Sequence, residues 1–156
     1  MPLVEWIGAW PGAVWLRDSG TAYLFVNAAH ILGVGLLVGA IIPLDLRLLG
    51  LFRHASLAVL APFLSRAAAT GAVLAILTGL WLFSVKPAEY LDNAAFLWKA
   101  ALLIVAFANV ALQHSNRHFA AAVVGRALRP TVRVAALCSI ILWLSVLVAG
   151  RWIGFV

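Results

Sequence analysis

Three side chains of this sequence stand where hydrocarbon makes them costly. His30 lies within the uncharged run from Gly20 to Leu44, Lys99 interrupts a second apolar run, and Arg151 flanks a third. Polar and ionisable groups at such depth mark a functional site unless shown otherwise. Imidazole nitrogen suits haem iron or another tetrapyrrole metal, and Gly33, about one turn along, would leave space for the macrocycle. A buried lysine can ligate iron as a neutral amine, pair with a propionate, or handle a substrate proton. Arg151 is a fixed cation, suited equally to lipid phosphate and to a porphyrin propionate. Each also has a plainer reading. His30 would be hydrogen-bonded to a neighbouring helix, and Lys99 would snorkel to the headgroups.

The elements that must position these groups follow from composition. Of 156 residues, 65% are hydrophobic and only 10% charged, and the mean hydropathy is +1.09. That much apolar surface exceeds what a water-soluble domain of this size buries, and the excess belongs against lipid. At roughly 20 residues per crossing, four spans and their loops use the whole chain. The expected fold class is therefore all-α: one polytopic domain over 1–156, a four-helix transmembrane bundle with spans at about 21–49, 67–85, 93–113 and 131–155. A short interfacial segment over 3–16 precedes it, where Trp6, Trp10 and Trp15 suit the headgroup layer. Glu5 and the Pro11-Gly12 break argue against a cleaved signal there.

The net charge of +6 comes from basic residues scattered between apolar runs, with no tract that would bind nucleic acid. Arg47, Arg53 and Arg66 fall in the first connection, and Arg117, Arg126, Arg129 and Arg133 in the third. The opposite side has Arg17, Lys86 and Arg151 diluted by Glu5, Asp18, Glu89 and Asp92. The bias predicts that the arginine-rich connections are cytoplasmic and that both termini lie outside, periplasmic or extracellular. Cys138 is the single cysteine, so neither an intramolecular disulfide nor a thiolate cluster forms, and it reads as packing.

Depth arithmetic groups the polar residues into two layers. His30 and Lys99 both fall roughly 10–15 Å below the outer boundary, at 1.5 Å per residue. Thr78 and Arg151 reach the same outer half. Towards the inner end, His114 and His118 are four apart, hence on one helical face, and His54 ends the first helix near the same level. Two imidazoles at that spacing can share a metal, although histidine at a boundary is often only solvated. Asp45 and Arg47, two apart, do not face one another, so each is expected to find a partner elsewhere. Asn109 should bond across the bundle. Gly35 with Gly39, and Gly71, Ala75 and Gly79, carry small residues at helix-packing spacing. Asn27-Ala28-Ala29 and Asn93-Ala94-Ala95 make a faint internal echo of two helical hairpins.

Several stretches resemble an uncharacterised bacterial family of four-helix integral membrane proteins. They are His30-x2-Gly33-x5-Gly39 through Asp45-Leu46-Arg47-Leu48-Leu49-Gly50, Thr78-Gly79, Asn93-x2-Phe96-x2-Lys99, Asn109-x4-His114, and the ending Gly150-Arg151-Trp152-Ile153-Gly154-Phe155. More distantly the layout is similar to HemJ-type protoporphyrinogen oxidases and to CopD-type membrane domains. His30 and Lys99 match the first-helix histidine and third-helix lysine of the HemJ-type proteins, which bind b-type haem. The chain departs from them at Leu37-Val38-Gly39-Ala40-Ile41-Ile42-Pro43, where they carry an aromatic-rich stretch.

The resemblance implies a haem b redox protein of the membrane, engaged in electron transfer with a quinone or membrane redox partner, or in oxidation of a porphyrin-like substrate. His30 would be an axial ligand, Lys99 a second ligand or polar partner, and Arg151 a propionate partner. The CopD likeness implies metal transport or handling at His54, His114 and His118 instead. A third reading is a non-catalytic subunit or homo-oligomer whose polar residues serve helix association alone.

Overall fold

The computed structural model describes residues 2–155, with side chains over 4–155. Among these residues the chain is entirely helix and connection. The helices are α1 (Pro2–Ala9), α2 (Pro11–Asp18), α3 (Gly20–Leu49), α4 (Leu57–Val85), α5 (Pro87–Asp92), α6 (Ala94–Ser115), α7 (Arg117–Val123) and α8 (Pro130–Trp152). Four of them, α3, α4, α6 and α8, are long and apolar enough to cross a membrane. Their outward residues, among them Phe25, Leu32, Leu80, Ile104, Leu112 and Ile141, are exposed and apolar, which is the surface a bilayer solvates. The all-α four-helix bundle expected from composition is the fold.

Local sequence explains most of the boundaries. Ser19 caps α3 by accepting from the Ala22 N–H, and Asn93 caps α6 by accepting from Phe96. Pro11, Pro87 and Pro130 open α2, α5 and α8, where a missing N–H costs nothing. Gly50 ends α3 in the left-handed region at φ +107°. Arg47 then ties down the connection, donating to the carbonyls of Ala55 at 2.7 Å and Arg53 at 3.2 Å.

Two boundaries differ from expectation. The second long helix begins at Leu57, ten residues before 67, because buried Leu57 and Ala61 pack into the core while Arg66 stays on the exposed face. A charge does not end a helix when it can point outward. The segment expected to lie along the interface is two helices, broken at Pro11. Arg17 donates to the Val85 carbonyl at 2.8 Å and to that of Gly8 at 2.8 Å, and the Trp81 indole donates to Gly12 at 3.0 Å. These contacts seat α1 and α2 over one end of α4.

The bundle is built of two hairpins, α3 with α4 and α6 with α8, joined where α3 meets α8. The backbones of α4 and α6 stay apart, and side chains bridge them near the two ends, the Phe83 and Phe96 rings stacked with centres 5.4 Å apart and Ser65 bonded to His114 at 3.3 Å. Within the first hairpin the backbones touch. A Cβ built on Gly33 would sit 2.7 Å from the Ala75 nitrogen, and one on Gly71 2.5 Å from that of Leu37. Gly35 and Gly39 face open space, so the expected glycine pair is not the packing pair; Gly33 is. Apolar clusters stack along the axis, around Leu48, Val132 and Ala136 at the arginine-rich end, Ala72, Ala106 and Trp143 in the middle, and Leu16 and Leu82 at the end that carries both termini.

Candidate functional site

Two polar layers lie inside this frame, one in the half nearer the termini and one in the arginine-rich half. In the first, α3 brings His30 against Gly79 of α4, where a Cβ would approach the imidazole Cε1 to 3.0 Å. The ring's Nδ1 lies 3.0 Å from the Ala75 carbonyl and 3.1 Å from the Thr78 Oγ1. The Thr78 hydroxyl spends its only proton on the Leu74 carbonyl at 2.6 Å. Both atoms facing Nδ1 are therefore acceptors, and a neutral ring must carry its proton there. The Nε2 lone pair is left free of any protein hydrogen bond among the described residues. A second hydrogen bond that fixes the tautomer and aims the other nitrogen is the usual support of a metal-ligating histidine.

Lys99 shares this layer. Its chain lies along α8 at Gly150, where a Cβ would meet Cε and Nζ at 3.5 Å each, so the missing side chain makes room for the lysine. It is half-buried. Thr78 and His30 meet directly, while Lys99 lies against the other hairpin. Arg151 stands apart. It is exposed, with its guanidinium 4.7 Å from the centre of the Phe155 ring, a cation–π contact at the end of α8. Gly33 requires a correction. The space left by its absent side chain holds the backbone of α4 and is not kept open for a macrocycle.

The inner histidines also differ from expectation. Asn116 is extended and separates α6 from α7, its side chain accepting from the His118 N–H, so His114 and His118 do not share a helical face. His114 bonds Ser65 of α4 at 3.3 Å and the Val110 carbonyl at 2.9 Å, and its ring lies 5.2 Å from that of Phe119. His54 is exposed on the connection after α3. Among the described residues no three His, Cys, Asp or Glu side chains gather as a metal cluster.

The second polar layer surrounds a cavity of about 410 Å³ between the four long helices. Asp45 and Ser139 of α8 both line it, while Arg47 turns to the carbonyls of Ala55 and Arg53. Asn109 donates to the Ala135 carbonyl at 3.1 Å and Gln113 to that of Val132 at 3.1 Å. Asp45 Oδ2, Gln113 Oε1 and Trp143 Nε1 are nonetheless buried without a hydrogen-bond partner among the described residues. Each such orphan costs about 1–3 kcal/mol. The sequence carries a signal for this layer: Asn109 and Gln113 are one turn apart, and Trp143 lies mid-span, away from the interface where tryptophan is favoured.

Four long apolar helices around a histidine–lysine layer and a separate polar cavity define a small polytopic membrane protein. The chain belongs to a family of unknown function, DUF6644, whose model it matches over residues 5–156. No curated protein and no solved structure matches it.

Proposed function

We propose that this protein is a redox protein of the bacterial inner membrane that holds one b-type haem in the layer of His30 and Lys99. The observation that carries the reading is the His30 ring itself, whose Nδ1 is engaged by the Ala75 carbonyl and Thr78 while Nε2 has no protein partner. Nε2 would hold the iron. Lys99, across the bundle on Gly150, would serve as second ligand or as a cation beside the group. Bound haem would supply a one-electron couple, used for electron transfer or for oxidation of a porphyrin-like substrate. The protein's own work would be to fix the imidazole tautomer, exclude water with apolar helices, and offer a lysine amine from α6. The likeness of His30 and Lys99 to the HemJ-type pair supports the same reading. Positive residues at one end of the bundle support an orientation with both termini outside.

The test is an absorption spectrum of detergent-purified protein from haem-replete cells, oxidised and then reduced with dithionite. A Soret band that His30→Ala abolishes, in a variant that still elutes as a single folded species, is the expected result. A colourless preparation overturns the proposal.

A further inference from the structure

The second polar layer has no part in the haem reading, yet it leaves three buried polar atoms unanswered around one space. Asp45 is 6% exposed, Gln113 7% and Trp143 1%, and all three line the cavity of about 410 Å³. A cavity of this size is in the range of small-molecule sites, roughly 300–1,000 Å³. The orphans comprise one donor, the Trp143 indole N–H, and two acceptors, Asp45 Oδ2 and Gln113 Oε1. They are spread along α8. Trp143 is one turn from Ser139, which lines the cavity with Asp45, or about 6 Å of rise; Val132, which holds Gln113, lies about 10 Å further.

The opening of this cavity faces lipid. Ala69, Val73 and Ile76 of α4 line it and are exposed, and the α4 and α6 backbones stand apart beside them. The Ser65–His114 bond bridges the two helices at the arginine-rich end and the stacked Phe83 and Phe96 rings bridge them at the other, with the opening between. A ligand entering here comes dissolved in hydrocarbon. Its recognition group must offer both donors and acceptors.

We propose that the cavity binds the headgroup of a membrane-dissolved quinol, with its isoprenoid or alkyl tail leaving between α4 and α6. A dihydroxyaromatic ring answers all three orphans. One hydroxyl accepts from the Trp143 N–H and donates to Asp45 Oδ2, and the opposite hydroxyl donates towards Gln113 Oε1. Flat aromatic walls are present, since Phe107 meets Trp143 edge-on with ring centres 5.4 Å apart. Other occupants leave orphans behind. An acyl chain answers none, a lone alcohol at most two, and a metal cation suits the two oxygens but opposes the indole N–H. The assignment does not depend on haem.

Full-length protein in lipid nanodiscs, titrated with a radiolabelled benzoquinol bearing a ten-carbon tail, tests the site. Saturable one-to-one binding above the partition into protein-free discs is expected. Trp143→Phe and Gln113→Leu should each weaken it about tenfold, the scale of one lost buried hydrogen bond. The dimethyl ether of the probe, which cannot donate, should bind at least about tenfold more weakly. Ala69→Trp, at the exposed rim, should block entry; it decides the matter if a core variant fails to fold. Absence of saturable binding, wild-type affinity in folded Trp143→Phe and Gln113→Leu, an ether as tight as the quinol, or equal displacement by decanol would each overturn the proposal. His30→Ala should bind the probe normally, which separates this result from the fate of the haem reading.

Discussion

At the scale of single residues, the controlling detail is how a threonine with no proton to spare orients a histidine. Thr78 gives its hydrogen to Leu74 and receives one from His30, so Thr78→Val removes an acceptor while keeping shape. Hydrogen bonds between membrane helices average about 0.6 kcal/mol, and a loss of about that size is expected in thermal denaturation, together with a shifted haem spectrum. Gly79→Ala places a methyl group 3.0 Å from the imidazole Cε1, so the ring must move. On the proposed haem reading, the expected outcome is lower haem occupancy with an intact helical circular dichroism signal. His30 and Lys99 were legible from sequence because an ionisable group inside an apolar run announces itself. Gly33 was misread, since spacing says that a side chain is missing but not which neighbour fills the gap. Trp143 went unread as a polar group because its ring dominates its chemistry until the N–H is left alone.

Between elements, the α3–α4 contact is the tightest packing described, and it predicts an asymmetry among glycines. Gly33→Ala and Gly71→Ala force a Cβ against backbone, and overpacking of this kind costs about 1–3 kcal/mol or more. Gly35→Ala and Gly39→Ala, facing open space, should instead stabilise the helix by roughly 0.5–1 kcal/mol. Thermal melts of the four variants in one detergent check the contrast. A second contact joins α5 to its neighbours through the rings of Phe83, Tyr90 and Phe96, with centres 5.4–5.9 Å apart. Burial pushes the Tyr90 phenol above its ordinary value of 10.0, and the Tyr23 phenol and Glu89 add to this. The folded state therefore favours the neutral phenol. Stability from this group is complete below pH 10 and falls as pH rises beyond it. Tyr90→Phe should remove that alkaline loss in a pH series of melts. Helix existence was legible from apolar run length. The start of α4 and the break at Asn116 were not, because they depend on which residues the core accepts and on a single side-chain cap.

Across the whole molecule, charge distribution predicts a direction in the membrane. In a Cys138→Ser background, Asp18→Cys should react with an impermeant maleimide in intact spheroplasts, and Arg126→Cys only after permeabilisation; the reverse pattern would invert the proposed topology. The two-hairpin plan was faintly visible in the echo of Asn27-Ala28-Ala29 and Asn93-Ala94-Ala95. The mid-bundle gap between α4 and α6 was not, since a linear pattern does not say which backbones stand apart.

The seat of the first two helices has an implication for biogenesis. Arg17 and Gly12 are bound by Val85 and Trp81, residues made about seventy positions later. The amino-terminal segment is therefore synthesised long before its anchor exists. Its final contacts must wait until the second crossing has been laid down. Ribosome-stalled chains ending before residue 81 should leave that segment open to protease, and chains extending past residue 120 should protect it.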